Sequence, residues 1–352
     1  VWIMAYTPID KSSDYFNILL YTGNDTASTT ISGVGFQSDF TWIKSRTTAE
    51  NNQAYDAARG GGKRIYPNLD AVESYIATTL TSWTSDGFVV GTDDGVNANG
   101  ANFVAWNWKA NGAGATNEDG SINTTKTSAS TTSGFSISTY TGTGSNATIG
   151  HGLGVVPKMI IVKRLDVSSS WRIYHASLGN TKNIILNSAA AEATSSTMWN
   201  NTSPTSTTFS LGSYDQVNGS SAPHVAYCFA DVQGYSKFGS YKGNGNNNGT
   251  FTFLGFKPAF LIIRRTDTGN SWYMYTGKTS TSGGNLTDKY LEANGAGVEA
   301  TTTGEYGFDF LSNGFKATGT GGGTNNGSGT YIYMAFAENP FVTSTGIPTL
   351  AR

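Results

Sequence analysis

Charge is scarce in this chain. Only 13% of its 352 residues are Asp, Glu, Lys or Arg, against roughly 25% in an average globular protein. The net charge is −2, and Lys and Arg are scattered rather than gathered into a stripe. That excludes nucleic-acid binding driven by phosphate neutralisation. There is one cysteine, which excludes an intramolecular disulfide framework and a cysteine-based zinc cluster. This residue, Cys228, stands in the apolar run Val225 to Ala230 and reads as a small buried hydrophobe. No apolar run approaches the roughly 20 residues that a membrane-crossing helix needs. Helical periodicity is almost missing; Ala71–Tyr75 and Ala189–Glu192 are each expected to hold one turn of helix and no more. The chain begins at Val1 with nothing like a signal peptide, so it reads as a processed or partial product.

What is abundant points the other way. Hydrophobic residues make up 38% and aromatic residues 12%, enough for real cores, while polarity comes from 44 glycines and from Ser, Thr and Asn. These residues favour turns and strand surfaces over helix interiors, since Ser and Asn compete for backbone hydrogen bonds and Gly loses the most entropy in a helix. The expected class is all-β, with many short antiparallel strands joined by polar turns.

Two landmarks recur three times. The first is an aromatic-x-Gly turn at the end of a strand-like stretch: Tyr21-Thr22-Gly23, Tyr140-Thr141-Gly142 and Tyr241-Lys242-Gly243. The second is a Gly-led apolar strand ending in a cation, from Gly35 to Lys44, Gly154 to Lys163 and Gly255 to Arg264. Gly35 and Gly154 are 119 residues apart, Gly154 and Gly255 are 101 apart, and the three tyrosines keep the same two spacings. Each copy closes on a second apolar strand: Phe103 to Trp108, His224 to Phe229, and Tyr331 to Phe336. A run such as Phe260-Leu261-Ile262-Ile263 is too short for a buried helix and suits a strand covered on both faces. The repeat is therefore taken as real. It predicts three tandem antiparallel β-sandwich domains: an N-terminal extension at 1–15, repeats at 16–111, 134–233 and 234–342, a linker or edge strand at 112–133, and a tail at 343–352. Copies two and three abut around Gly234 and are expected to share a packed interface.

The stretch from Phe135 to Gly144, running into Ile149-Gly150-His151-Gly152-Leu153-Gly154 and on to Arg164, resembles a segment common in bacteriophage virion proteins, especially those of marine phages. So does Leu80 to Phe88 followed by Val104 to Ala110, and Tyr331 to Phe341 is similar to the closing strand of that family. The resemblance covers nearly the whole chain from residue 16. It implies a β-sandwich module, jelly-roll or lectin-like, in tail-fibre or other virion structural proteins, and it carries over no catalytic residues. By analogy with tail fibres it also implies a homotrimer in contact with other virion proteins.

Reactive chemistry is thin. His151, His175 and His224 occupy different places in their repeats and lack metal-ligand spacing. Gly60-Gly61-Gly62-Lys63-Arg64 misses the phosphate-loop pattern at Ala57 and at Arg64, so a mobile surface loop with two cations is expected there. Gly319–Gly329 reads as an exposed loop. Asp93 and Asp94 offer oxygen ligands for calcium, but not in the order of a calcium-binding loop. No Ser stands in a nucleophile elbow. Carboxylate pairs for glycoside hydrolysis need only spatial proximity, yet the β-helix pattern of a depolymerising tailspike is missing. Trp171, Trp272 and Tyr273 are the candidates for glycan contact, since flat rings suit sugar stacking. The competing reading, that aligned aromatics fill repeat cores, is the stronger. The sequence thus points to a non-enzymatic virion component without cofactor or metal, most simply a tail fibre or receptor-binding protein that touches a host glycan. A capsid-surface decoration protein or a secreted bacterial adhesin is the alternative, and a glycan-degrading enzyme the third reading.

Overall fold

The computed structural model describes residues 6–280, 285–302, 304–340 and 342; the expected tail at 343–352 and the first five residues of the extension lie outside them. The chain is all-β, and the repeat is visible as three main sheets of one topology. Each has an opening strand (Phe16–Thr22, Phe135–Thr141, Ser236–Lys242) and a central strand (Phe40–Ser45, Met159–Arg164, Phe256–Arg265). An outer strand follows (Gln53–Asp56, Arg172–His175, Trp272–Thr276), and a closing strand completes the set (Asn102–Trp108, Pro223–Phe229, Thr330–Pro340). The spatial order is opening, closing, central, outer, antiparallel throughout. A small second sheet covers one face of each, built on Thr29–Ser32, Ala147–Gly150 or Phe251–Phe253. Lys126–Ser130 pairs with the second opening strand and forms the edge of that sheet.

Strand alternation divides the side chains between two cores. In the closing strands, Phe103 and Ala105 face the small sheet of repeat one, as do Ala226 and Cys228 in repeat two and Tyr331, Tyr333 and Ala335 in repeat three. The opposite parity, Trp106 and Trp108, Tyr227 and Phe229, and Met334 and Phe336, belongs to one core shared by all three repeats. Rings from different repeats touch there: Phe40 and Tyr227 at 4.5 Å, Phe16 and Phe336 at 4.8 Å, and Trp108 and Phe260 at 6.1 Å between centroids. The second face of each apolar run is thus covered by the neighbouring repeats. A fully buried ring of this kind contributes about 1.5–3 kcal/mol, so a repeat taken alone would keep its small-sheet core and lose its share of this one. Ile9 from the N-terminal segment is fully buried in the same cluster.

The aromatic-x-Gly landmark is held by a buried asparagine in each repeat. Asn97, Asn218 and Asn325 are fully buried. Each donates to the carbonyl of Gly91, Gly212 or Gly319 and accepts from the backbone N–H of Asn24, Thr143 or Asn244 in the turn. The tyrosine hydroxyl donates to the carbonyl just before that asparagine, at 2.7, 2.7 and 2.6 Å. Glycine is required beside it: a Cβ on Gly23 or Gly142 would lie 2.3 Å from a backbone oxygen of the loop it packs against. Gly319–Gly329 is consequently not an exposed loop, since Thr324 and Asn325 within it are fully buried. The two expected turns of helix are also absent. The α-helices among the described residues are the single turns Asp94–Asn97 and Asp215–Asn218, while in Ala71–Tyr75 and Ala189–Glu192 the N–H groups of Glu73 and Glu192 donate to the next repeat instead.

Candidate functional site

Trp171 and Trp272 are 1% exposed and Tyr273 is 7% exposed, so none of the three offers a face to an external sugar. The two tryptophans stand where an outer strand begins and meets another repeat. Trp171 Nε1 donates to the carbonyls of Tyr66 (2.9 Å) and Leu69 (3.2 Å) in repeat one. Trp272 Nε1 donates to the carbonyl of Ile185 (2.8 Å) in repeat two. Repeat one holds Asn52 at this position, and its amide donates to the carbonyls of Glu292 (3.2 Å) and Gly295 (2.9 Å) in repeat three. Three equivalent positions therefore stitch three seams, two to one, three to two and one to three, and the repeats close into a ring. Tyr273 serves its own repeat, packing against Tyr290 and Tyr306 at 5.3 and 5.4 Å.

A pattern unnoticed in the sequence organises the same seams: Lys, then Ile or Leu two residues on, Asn after five and Glu after ten. It occurs at Lys63, Ile65, Asn68 and Glu73, at Lys182, Ile184, Asn187 and Glu192, and at Lys289, Leu291, Asn294 and Glu299. The asparagine oxygen accepts the backbone N–H of Asn52, Trp171 or Trp272. The glutamate N–H donates to the carbonyl of Leu165, Thr266 or Arg46 across the seam. Its carboxylate meets Arg59, Lys182 or Arg46. The cations that end the Gly-led strands are stitches as well. Lys44, Lys163 and Arg264 are fully buried and donate to the carbonyls of Ala296, Asp70 and Ala190 in the facing repeat. Burial pushes both lysines down to about 8.

Two of the seams leave clefts lined by equivalent residues. In the first, of about 500 Å³, Arg59, Lys63 and Glu73 face Asp166 and His224. In the second, of about 210 Å³, Leu178, Lys182 and Glu192 face Asp267 and Thr330. The carboxylates are already engaged: Glu73 by Arg59 at 2.7 Å, Asp166 by Arg164 at 2.7 Å, Glu192 by Lys182, and Asp267 by Arg265 at 2.9 Å. The hydrogen-bonded guanidinium holds Asp166 and Asp267 below the usual carboxylate range, the wrong direction for a general acid. In the third seam Arg46 takes the place of Leu165 and Thr266 and lies on Glu299.

The other chemistry-bearing residues also have structural partners. His151 and His175 each have Nε2 on a carbonyl, that of Thr205 or Tyr333, and accept a backbone N–H at Nδ1. His224 stacks on Tyr140 at 5.1 Å, as Phe103 stacks on Tyr21 and Tyr331 on Tyr241. Asp93 caps the short helix Asp94–Asn97 and binds Arg64 at 2.9 Å, so a cation side chain already occupies one of the two carboxylates considered for calcium, while Asp94 is exposed. The same bond ties down the glycine-rich loop before it, whose Gly62 N–H donates to the carbonyl of Leu80. Burial pushes the Cys228 thiol up, away from nucleophilic reactivity. Among the described residues no group of three His, Cys, Asp or Glu side chains could hold a metal ion. Nor is any helix among them long and apolar enough to cross a membrane.

A family profile described as a domain of unknown function (DUF7483) matches residues 11–340. The chain belongs to that family. The match takes in all three repeats as one unit, which agrees with a core that none of them completes alone. No curated protein matches the chain.

Proposed function

We propose that this chain is a structural and attachment component of a bacteriophage particle, a tail fibre or tail-associated protein that works by contact rather than catalysis. The observation that supports it is the use made of the polar side chains. The tryptophans, buried cations, asparagines and glutamates repeated between the copies are committed to seams and turns, giving a stiff, weakly charged β body suited to bearing contacts. The resemblance of the strand and turn motifs to virion proteins supplies the location. Association of the chain into a trimer, with other virion proteins as neighbours, belongs to the same proposal.

Immunogold labelling of intact particles with antibodies against the purified chain tests the location, and competition by excess purified chain tests its part in adsorption. Label on the tail and slowed adsorption are expected; particles without label would remove the proposal. Light scattering on the purified chain should give three times 37.2 kDa. Release of reducing ends from host polysaccharide would replace the contact role with an enzymatic one.

A further inference from the structure

The threefold repeat supplies an internal control for every surface position, and one strand departs from it. The small-sheet strand reads Thr30-Ile31-Ser32 in repeat one and Thr148-Ile149-Gly150 in repeat two, with isoleucine facing inward against Phe88 or Phe209. In repeat three the same register reads Phe251-Thr252-Phe253. The apolar residues have moved to the outside, where Phe251 is 45% and Phe253 56% exposed. Thr252 points inward with its hydroxyl buried and without a partner. Both changes act against stability, since an apolar ring is left in water and a buried hydroxyl is left unpaired. Packing therefore does not account for them.

Phe253 lines a cleft of about 380 Å³ whose walls include Tyr6, Asp231, Gln233 and Lys237, at the lower end of the volumes typical of small-ligand sites. Tyr6 comes from the N-terminal segment, and its hydroxyl donates to the carbonyl of Gly255 at 3.4 Å. Gly255 has φ +84°, a conformation that favours glycine, and a Cβ there would lie 2.8 Å from the Tyr6 hydroxyl and 3.7 Å from the tip of Phe253. The Lys237 ammonium stands 5.7 Å from the centre of the Phe253 ring. One Asp231 oxygen accepts the Phe238 N–H at 2.9 Å, which leaves the second oxygen as an acceptor.

We propose that this cleft binds a neutral saccharide of one or two rings. A pyranose presents a C–H face that needs a flat apolar partner and a rim of hydroxyls that needs both donors and acceptors. Phe253 supplies the first, and Asp231, Gln233 and Lys237 supply the second. One ammonium and one carboxylate leave the cleft without a charge preference. Phe251 extends the apolar surface along the strand for a second ring. The assignment rests on the attachment reading for its biological purpose, but not for its test.

The purified full-length chain is screened on an array of neutral mono- and oligosaccharides and bacterial surface polysaccharides, and the best hit is titrated calorimetrically. Phe253→Ala is expected to weaken binding at least tenfold. The double variant Phe251→Thr with Phe253→Ser installs the residues that repeat one carries, so it is expected to fold with an unchanged or higher Tm and to lose binding. An array on which the wild type binds nothing overturns the proposal, as does a double variant that binds as well as the wild type. Self-association of the wild type that the double variant abolishes would make the occupant a second copy and also overturn it. A saccharide bound by a chain that is missing from the particle would sink the attachment reading and leave this one standing.

Discussion

Arg46 and Glu299, 253 residues apart, form a two-bond ion pair across the seam between the first and third repeats, with Nε 3.0 Å from Oε1 and Nη2 2.7 Å from Oε2. The side chains are 17% and 9% exposed, so removing one partner strands a poorly solvated charge. Glu299→Ala is expected to lower stability by about 2–3 kcal/mol in urea denaturation. Asp14→Ala, which breaks the exposed pair with Lys11, should change it by no more than about 0.5 kcal/mol. Equal effects would mean that the seam pair does not hold the ring closed.

Because one core runs through all three repeats, unfolding should be a single event. Calorimetry is expected to give one transition whose calorimetric and van't Hoff enthalpies agree. Three separable transitions would show that the repeats are independent modules after all.

Each buried asparagine makes several hydrogen bonds to the turn it holds; Asn218, for example, donates to the carbonyls of Ser145 and Gly212 and accepts from Thr143. Asn218→Ala leaves those groups unpaired and should cost about 3 kcal/mol. Asn218→Asp keeps the acceptor alone and should recover only part of that loss. A loss below about 1 kcal/mol for the alanine variant, measured by urea denaturation, would show that the turn stands without its pin.

Acid should loosen the fold through its buried histidines. Burial pushes His175 down to about 4, whereas an unfolded histidine titrates near 6.5. Between these values the unfolded chain binds a proton that the folded chain refuses, so stability falls as pH drops from about 6.5 to about 4. The loss is about 3 kcal/mol by the bottom of that window, and burial lowers His151 and His224 in the same direction. Urea midpoints across this range test it; a His175→Gln variant should show a shallower slope, and an unchanged slope would clear His175 of the effect.

Much of this architecture is legible in the sequence, and the illegible part has a physical cause. The Gly-led strands and the Tyr-x-Gly turns keep fixed spacings because each fills one register position in a repeated sheet, so counting residues finds them. Continuous apolar runs such as Phe260 to Ile263 report that both faces are buried, but not what buries the second. A sandwich partner and a neighbouring repeat leave the same mark, which is why the sequence leads to tandem sandwiches, with an interface between the second and third, but not to a core shared by all three. The seam stitches escape for a related reason. Trp171 and Trp272 align with Asn52, a residue of different size and chemistry that makes the equivalent bond, so the common role is invisible at the level of residue type. The Lys-to-Glu pattern was open to the same spacing argument, its second interval being 107 residues rather than 101. Phe251 and Phe253 look like core residues until the register shows that they point outward.

The direction in which the seams close also sets an order on manufacture. Residues 16–233 can join as they leave the ribosome, but the first repeat's free flank meets its partner only after residues 292–299 have been made. Until then rings such as Phe16 and Trp108 wait without Phe260 and Phe336 to cover them. A chain with so many long-range pairings gathers its final shape slowly and is most prone to aggregate just before completion. Production at low temperature or beside a holdase chaperone should therefore raise the yield of intact protein more than any change to its surface.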